Sequence, residues 1–216
     1  MPQVFNAKSN VLARATFLIA GLLLLVIILA GMYMTPYTHR TGIALDQPAP
    51  FSHKHHAKEL GIDCRYCHTG VEEAPYAGIP ATEVCMTCHS QIWTNSPLLL
   101  PVQESYLKNI PLRWNKVNKV PDFVYFDHSI HIDRGVSCFT CHGDVTEMNL
   151  TFKTNAFEML YCLDCHRNPE EFLRPTDEVF NANYEMPPNQ EDLSRQLMEK
   201  HAIDTKQIEN CWVCHR

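Results

Sequence analysis

The chain has 216 residues, with 18 Lys and Arg against 24 Asp and Glu, so its formal net charge at pH 7 is −6. This balance excludes a basic nucleic-acid-binding domain as the first interpretation. Ten cysteines, twelve histidines and only eight glycines are the unusual part of the composition, and the cysteines are too sparse for a small disulfide-stapled scaffold.

The first predicted element is an apolar run without charges, from Ala15 to Met34. As a helix it is long enough to cross a bilayer core about 30 Å thick. A cleavable signal peptide is the alternative, but its apolar region is normally about 7–15 residues, and no small-residue cleavage site follows this run. We therefore expect an uncleaved anchor. Lys8 and Arg14 precede it without any acidic residue, which predicts a cytoplasmic N-terminus.

Five Cys-x-x-Cys-His motifs follow the apolar run and use every cysteine of the chain. They are Cys64-Arg65-Tyr66-Cys67-His68, Cys85-Met86-Thr87-Cys88-His89, Cys138-Phe139-Thr140-Cys141-His142, Cys162-Leu163-Asp164-Cys165-His166 and Cys211-Trp212-Val213-Cys214-His215. This is the c-type haem attachment motif, in which two thiols bind one porphyrin edge and the histidine is the proximal ligand of the iron. We predict five covalently bound haem c groups.

Three other uses of Cys-x-x-Cys fit the sequence less well. Zinc sites would pair the motifs, and five motifs leave one unmatched. A thioredoxin-like pair occurs once on a βαβ unit, and disulfide pairing gives no role to the histidine that follows every motif. Because haem c is attached outside the bacterial cytoplasm, we expect a single-pass protein of the inner membrane with a periplasmic haem domain.

The residues beyond the anchor are too few to enclose five porphyrins in separate pockets, so the haems must pack against one another. The predicted fold class is therefore mostly irregular, with short α-helices around a packed haem array, plus one N-terminal transmembrane helix. The predicted domains are a cytoplasmic stub and anchor (1–34), a first di-haem repeat (35–90), a Pro-rich connecting segment (91–125), a second di-haem repeat (126–175) and a C-terminal segment with the fifth haem (176–216).

Each predicted repeat begins with Phe-x-His-x-x-His, at Phe51–His56 and at Phe126–His131. Histidines three apart lie on one helical face, and a surface pair is the alternative interpretation. The pattern resembles class III (c3/c7-type) multihaem cytochromes. The resemblance implies that His53 and His56 are the distal iron ligands of the first two haems, and that His128 and His131 serve the third and fourth. A crossed arrangement, in which a distal histidine serves the other repeat, is left open.

The fifth haem requires a distal ligand of its own. His201 is the candidate, because it precedes Cys211 by as many residues as His128 precedes Cys138, and because it continues an apolar helical stripe. A core or surface histidine is the alternative. Methionine is the competing ligand type, at Met148, Met159, Met186 or Met198. His39 and His55 are then spare. Histidines thus suffice for every distal position, no motif is altered to contain Lys, and we expect no catalytic site.

The Pro-rich connecting segment contains Pro97, Pro101, Pro111 and Pro121, a spacing that forbids a long helix. It is interpreted as a strap over the haem array. The alternative is an apolar docking surface for a partner subunit, since the segment also contains Trp93, Trp114 and three consecutive leucines.

Longer runs resemble one particular family. Phe51–His56, Gly61–His68, Cys85–Trp93, Pro121–Phe126 and the Cys-His-Arg ending are similar to the membrane-anchored pentahaem cytochrome c subunit of alternative complex III. The resemblance implies electron transfer within a membrane quinol:electron acceptor oxidoreductase. Its implied partners are a polytopic quinol-binding subunit, an iron–sulfur subunit and a monohaem cytochrome c, and electrons would pass toward cytochrome c or a terminal oxidase.

An alternative function is a self-sufficient anchored multihaem quinol dehydrogenase. It predicts an open or weakly ligated first haem and an acid or base near the bilayer. Between Met34 and Pro50 only His39, Arg40 and Asp46 are available for that role, so the electron-transfer subunit is the preferred hypothesis.

Overall fold

The structure is a computed structural model that describes residues 6–215. It divides into two compact units, residues 1–41 and residues 42–216. Residues 1–5, the start of the predicted cytoplasmic stub, and Arg216, the end of the fifth-haem segment, lie outside the described residues.

The first unit contains the long helix α1 (Ala7–Tyr33) and the short helix α2 (Pro36–His39). Asn6 begins α1 by accepting a hydrogen bond from the Ser9 amide through its side chain. From Lys8 to Tyr33 the helix is long and apolar enough to cross a membrane, and none of its most apolar stretch is buried within the protein. The predicted transmembrane anchor is therefore present as a helix of suitable length and composition.

The second unit is built from short helices joined by irregular segments. Its α-helices are α3 (Cys64–Cys67), α4 (Thr82–His89), α5 (Leu100–Lys108), α6 (His128–Asp133), α7 (Cys138–His142), α8 (Met159–Arg167), α9 (Gln190–Lys200), α10 (Thr205–Ile208) and α11 (Cys211–Cys214). A π-helical turn spans Lys54–Glu59, and 3₁₀ turns span Pro97–Leu99, Val145–Glu147, Pro169–Glu171 and Thr176–Glu178. Extended pairing takes the form of isolated bridges, among them Ala44–Phe152 and Val136–Leu173.

Polar side chains cap the helices of two of the five motifs. Asp63 caps α3 and Ser137 caps α7, each accepting an amide hydrogen bond from the second residue after it. The first, third and fifth motifs each start at the first residue of a helix, whereas the second and fourth lie toward the end of the longer helices α4 and α8. In both settings the two thiols are three residues apart, so they lie on one face.

The apolar core of the second unit is small. Val71, Ile132 and Val179 form a buried cluster, and Cys138 and Phe180 pack against it. Val71 follows the first motif and Ile132 lies on α6, so this cluster joins the two predicted repeats. The prediction of a mostly irregular protein with short helices and one N-terminal apolar helix is confirmed.

Candidate haem sites

The five motifs define five candidate sites, numbered by their order in the chain. Sites 1 to 5 contain the cysteines and histidines of the motifs that begin at Cys64, Cys85, Cys138, Cys162 and Cys211. None of the ten cysteines, all of which the structure describes, is in a disulfide. Within residues 6–215, no group of three or more His, Cys, Asp and Glu side chains is arranged to hold a metal ion directly, as a zinc site would be.

Four motif histidines each face a second imidazole at nearly the same distance. The ring centroids are 6.4 Å apart for His53–His68, 6.2 Å for His56–His89, 6.4 Å for His128–His142 and 6.3 Å for His131–His166. These are the same partners that the class III resemblance implied, each distal candidate facing the motif of its own repeat.

The separation matches a pair of histidines on opposite faces of one haem. In such a pair each iron–nitrogen bond is about 2 Å and each ring centre lies about 1 Å beyond its nitrogen, which places the centroids about 6 Å apart. Rings in direct contact would be closer, and the Phe51 and His56 rings, for comparison, stack at 4.4 Å. The residues present therefore fit the group that the motifs predict.

Hydrogen bonds fix which nitrogen of each ring faces its partner. In seven of the eight paired histidines Nδ1 is hydrogen-bonded, which leaves Nε2 for an iron. The partners of Nδ1 are the Thr151 hydroxyl for His53 (2.9 Å) and the backbone carbonyls of Ser52 for His56 (2.9 Å), Gly78 for His68 (2.7 Å), Ile92 for His89 (3.3 Å), Pro75 for His128 (2.8 Å), Asp127 for His131 (2.6 Å) and Ile208 for His166 (2.8 Å).

The buried histidines of these pairs favour the neutral form. Burial, with a smaller contribution from neighbouring histidines, lowers the pKa of both His53 and His142 to about 4. Burial also lowers the pKa values of His56 and His131. A neutral imidazole is the form that binds a metal.

The two repeats have the same local geometry around their phenylalanines. Phe51 meets the His53 ring edge-on at 4.9 Å, and Phe126 meets His128 edge-on at 4.8 Å. Each phenylalanine also stacks on the second histidine of its repeat, His56 at 4.4 Å and His131 at 4.6 Å. The pattern Phe-x-His-x-x-His thus positions two imidazoles through one aromatic ring, although the first copy is a π-helical turn and the second is the helix α6.

The cysteine thiols of different motifs lie near one another. Burial raises the pKa of the Cys138 thiol to about 12, and the thiol of Cys64 adds to this. Burial likewise raises the pKa of Cys141 to about 11, with a further contribution from Cys162. The Cys138 thiol therefore lies near that of Cys64, and the Cys141 thiol near that of Cys162, so porphyrin edges attached to them would be adjacent.

Site 5 differs from the other four. The ring that stacks on His215 is that of Phe123, at 5.8 Å. Among the described residues, no ring contact joins His201 to His215. His201 caps the end of α9 and borders a cavity of about 340 Å³ that is also lined by Glu72, Ile132 and Lys200. Its Nε2 is buried and has no hydrogen-bond partner among the described residues.

The competing methionines and the two spare histidines have other surroundings. Met159 and Met186 are exposed, Met198 is half-buried and Met148 is buried. His39 Nε2 lies 2.9 Å from the carbonyl oxygen of Tyr33. His55 is bonded to Glu59 at 2.9 Å and stacks on the exposed Trp93 at 5.9 Å.

The acceptors that orient the paired histidines carry no recognisable sequence signal. Thr151, Pro75, Gly78 and Ile208 are far in sequence from the histidines they bind or lie in irregular segments. Only Ser52 and Asp127, each four residues before its histidine, recur in both repeats and mark a pattern that the sequence could have shown.

Comparisons with known proteins identify similar sequences. Residues 124–216 match the family model described as cytochrome c7 and related cytochrome c. The chain is also 31% identical, over 144 residues, to the multihaem cytochrome c subunit of menaquinone reductase from Nitratidesulfovibrio vulgaris. That alignment covers 57% of this chain and 69% of the relative. The chain therefore belongs to this family of multihaem cytochromes c, electron-transfer proteins that bind haem c covalently.

Proposed function

We propose that this chain binds five haem c groups and conducts electrons as a subunit of a membrane quinol:electron acceptor oxidoreductase of the alternative complex III type. The observation that carries the proposal is the set of four imidazole pairs at 6.2–6.4 Å, each next to a Cys-x-x-Cys pair. When bound, each haem supplies a one-electron iron couple. Irons with two axial histidines exchange electrons without binding a substrate, so the role is electron transfer and not catalysis.

The residues of each site have distinct tasks in this proposal. The two cysteines form thioethers that fix one porphyrin edge, and the motif histidine is the proximal ligand. The distal ligands are His53, His56, His128 and His131 for sites 1 to 4. The hydrogen bonds at Nδ1 hold seven of the eight paired rings in the tautomer that presents Nε2.

For site 5, His215 is the proposed proximal ligand. His201 is the proposed distal ligand on sequence grounds alone. In the structure its charged neighbours are Lys200, Arg134 and Asp133, and none of these belongs to site 5. If His201 binds the fifth iron, the oxidised protein has no methionine–iron charge-transfer band. A His201→Ala substitution should then make one iron high-spin, and a spectrum unchanged by this substitution would exclude the assignment.

Two observations support a role in a quinone-linked complex. The relative from Nitratidesulfovibrio vulgaris is a subunit of a menaquinone reductase, and the runs around the motifs resemble the pentahaem subunit of alternative complex III. One-electron carriage is reversible, so the same array serves quinone reduction in one complex and quinol oxidation in another. The proposed partners are the polytopic quinol-binding subunit, the iron–sulfur subunit and the monohaem cytochrome c.

The apolar helix α1 supports the proposed location. It would anchor the chain in the inner membrane, with Lys8 and Arg14 on the cytoplasmic side. The haem-binding unit would then face the periplasm. Adding a menaquinol analogue to the purified chain tests its dependence on partners, because rapid haem reduction by the chain alone would favour a self-sufficient quinol dehydrogenase.

The haem count is the direct test of the proposed function. The pyridine haemochrome assay of the purified chain, together with its intact mass, should give five haems per chain. A Cys211→Ala/Cys214→Ala double substitution should reduce this to four, because it removes both thioether positions of one site. A wild-type count other than five would refute the proposal.

A hydrogen-bond variant tests the ligand role of His53. The Thr151 hydroxyl lies 2.9 Å from His53 Nδ1, where it accepts a bond that makes the ligand more electron-rich and stabilises the ferric iron. Thr151→Val should therefore raise the reduction potential of one haem. A bond worth about 1 kcal/mol corresponds to about 40 mV for a one-electron couple.

Thr94→Val is the matched control, since Thr94 is exposed and its side chain makes no hydrogen bond among the described residues. A spectroscopic redox titration of both variants measures the change in reduction potential. Equal titration curves for both would argue against His53 as a ligand.

A further inference from the structure

The order of the five sites along the chain is not their order in space. Cross-motif hydrogen bonds and ion pairs within residues 42–216 show which sites are neighbours. They connect the sites in a single series that starts at site 2 and ends at site 5.

Sites 2 and 1 are joined by their motifs and by their distal histidines. The Tyr66 hydroxyl, inside the first motif, lies 2.9 Å from the Thr87 hydroxyl inside the second. His53 and His56, which face sites 1 and 2, lie three residues apart, at the N-cap and inside the same π-helical turn. Site 2 therefore lies directly beside site 1.

Sites 1 and 3 exchange the groups that orient their distal histidines. His53 of site 1 is bonded to Thr151, which follows the third motif. Reciprocally, His128 of site 3 donates to the Pro75 carbonyl, which follows the first motif, at 2.8 Å. This mutual exchange places site 1 against site 3, although the second motif lies between them in sequence.

The remaining neighbours follow chain order. The Tyr161 hydroxyl, next to the fourth motif, donates to the Thr140 carbonyl of the third motif at 2.7 Å. His166 of site 4 donates to the Ile208 carbonyl just before the fifth motif at 2.8 Å. Arg167 and Glu209 form an ion pair at 3.2 Å across the same junction. Site 4 thus lies between sites 3 and 5.

Exposure independently marks the two ends of the series. Of the ten cysteines, eight are partly buried and two are exposed, Cys88 in site 2 and Cys211 in site 5. Trp93 beside site 2 and Trp212 within site 5 are each 62% exposed. The two sites at the ends are therefore also the two most open to a partner protein.

We propose that electrons cross this protein in the order site 2, site 1, site 3, site 4, site 5, or the reverse, with sites 2 and 5 as its two terminals. The proposal rests on the five-haem function proposed above. In each passage one electron enters from a reduced electron-transfer protein at one terminal, and one electron leaves to an oxidised electron-transfer protein at the other. No bond is made or broken.

The test attaches the full-length holoprotein, in detergent, to a gold electrode at either terminal. Because all native cysteines are bound to haem, an introduced cysteine is the only free thiol. Gln91→Cys attaches the protein beside site 2 and Lys206→Cys attaches it near site 5, and both positions are exposed. Fast-scan voltammetry then counts the haems that the electrode reduces rapidly through each attachment point.

The decisive variants remove one haem and interrupt the series. With site 1 removed by Cys64→Ala/Cys67→Ala, we expect one rapidly reduced haem from the Gln91→Cys attachment and three from the Lys206→Cys attachment. Transfer in chain order would leave sites 2 to 5 uninterrupted, so four haems would be reduced rapidly from either attachment. That result would overturn the proposal.

Removal of the terminal site 2, by Cys85→Ala/Cys88→Ala, is the second variant and does not interrupt the series. Through the Lys206→Cys attachment the electrode should reduce all four remaining haems rapidly, whereas transfer in chain order predicts three rapidly reduced haems. The haem count is measured first on each variant. A wrong count refutes the five-haem function, and a correct count with the chain-order result refutes only the spatial order.

Discussion

Replacing His56 with alanine should convert one haem from low-spin to high-spin and create one additional carbon monoxide binding site per chain. The His56 and His89 rings are 6.2 Å apart, and His56 Nδ1 is bonded to the Ser52 carbonyl at 2.9 Å. In the proposed ligand set, loss of this imidazole would leave the iron of site 2 with a single histidine ligand, and no other imidazole is placed against His89 among the described residues. The effect is large because an axial ligand is removed and not merely perturbed.

His55→Ala is the matched control, one residue away on the same helical turn. The His55 side chain points to Glu59 and Trp93 and is 42% exposed. Its hydrogen bond with Glu59 is exposed, and such surface contacts contribute at most about 1 kcal/mol. The EPR spectrum and the carbon monoxide stoichiometry of this variant should equal those of the wild type. A high-spin haem in the His55→Ala variant, or none in the His56→Ala variant, would contradict the assignment of His56.

The contrast between neighbouring histidines shows what the sequence can predict. The motifs are local: the cap, the two thiols and the proximal histidine lie within six residues, as in Asp63–His68, so spacing alone identifies them. The histidines proposed as distal ligands are also local to their own repeat. Phe51 and Phe126 position them through ring contacts that span at most five residues. These features can be predicted from the sequence alone.

The residues from distant segments that contact each site cannot be predicted from the sequence in the same way. His53 meets Thr151 and His128 meets Pro75 across 98 and 53 residues, and neither acceptor belongs to a motif. The backbone carbonyl of Pro75 has a counterpart at every residue, so its use as an acceptor leaves no trace in sequence. The Thr151 hydroxyl lies in an irregular segment far from the histidine it binds. The position of His201 is also non-local, because the packing of α9 against the turn Pro169–Glu171 determines it, and its assignment to site 5 stays a prediction from its spacing.

The small core gives the junction between α6 and α7 a disproportionate structural role. Gly135 connects the helix of His128 and His131 to the third motif, and its backbone carbonyl accepts a hydrogen bond from the Arg174 amide at 3.0 Å. A Cβ at this position would clash with the Arg174 carbonyl oxygen. Gly135 also has a φ of +83°, a conformation that side chains other than glycine rarely adopt.

Gly135→Ala should therefore lower the free energy of unfolding by more than about 3 kcal/mol, because relieving the clash requires the backbone to move. The shift would separate α6 from α7 and disturb both imidazole pairs of sites 3 and 4. Gly61→Ala is the control, since Gly61 has a φ of +67° but no atom within 4 Å of the added Cβ. It should cost only about 1–2 kcal/mol, the backbone penalty alone.

Guanidinium unfolding of both holoprotein variants, followed by circular dichroism and by the haem absorption, separates the two contributions. The variants share a positive φ, so the difference between their unfolding free energies reports the contact with Arg174. Gly135→Ala should also produce high-spin haem before global unfolding, since two distal histidines lie on the displaced helix. Equal destabilisation by both substitutions would mean that the α6–α7 junction is free to move away from Arg174, and that the histidine pairs of sites 3 and 4 are held by other contacts.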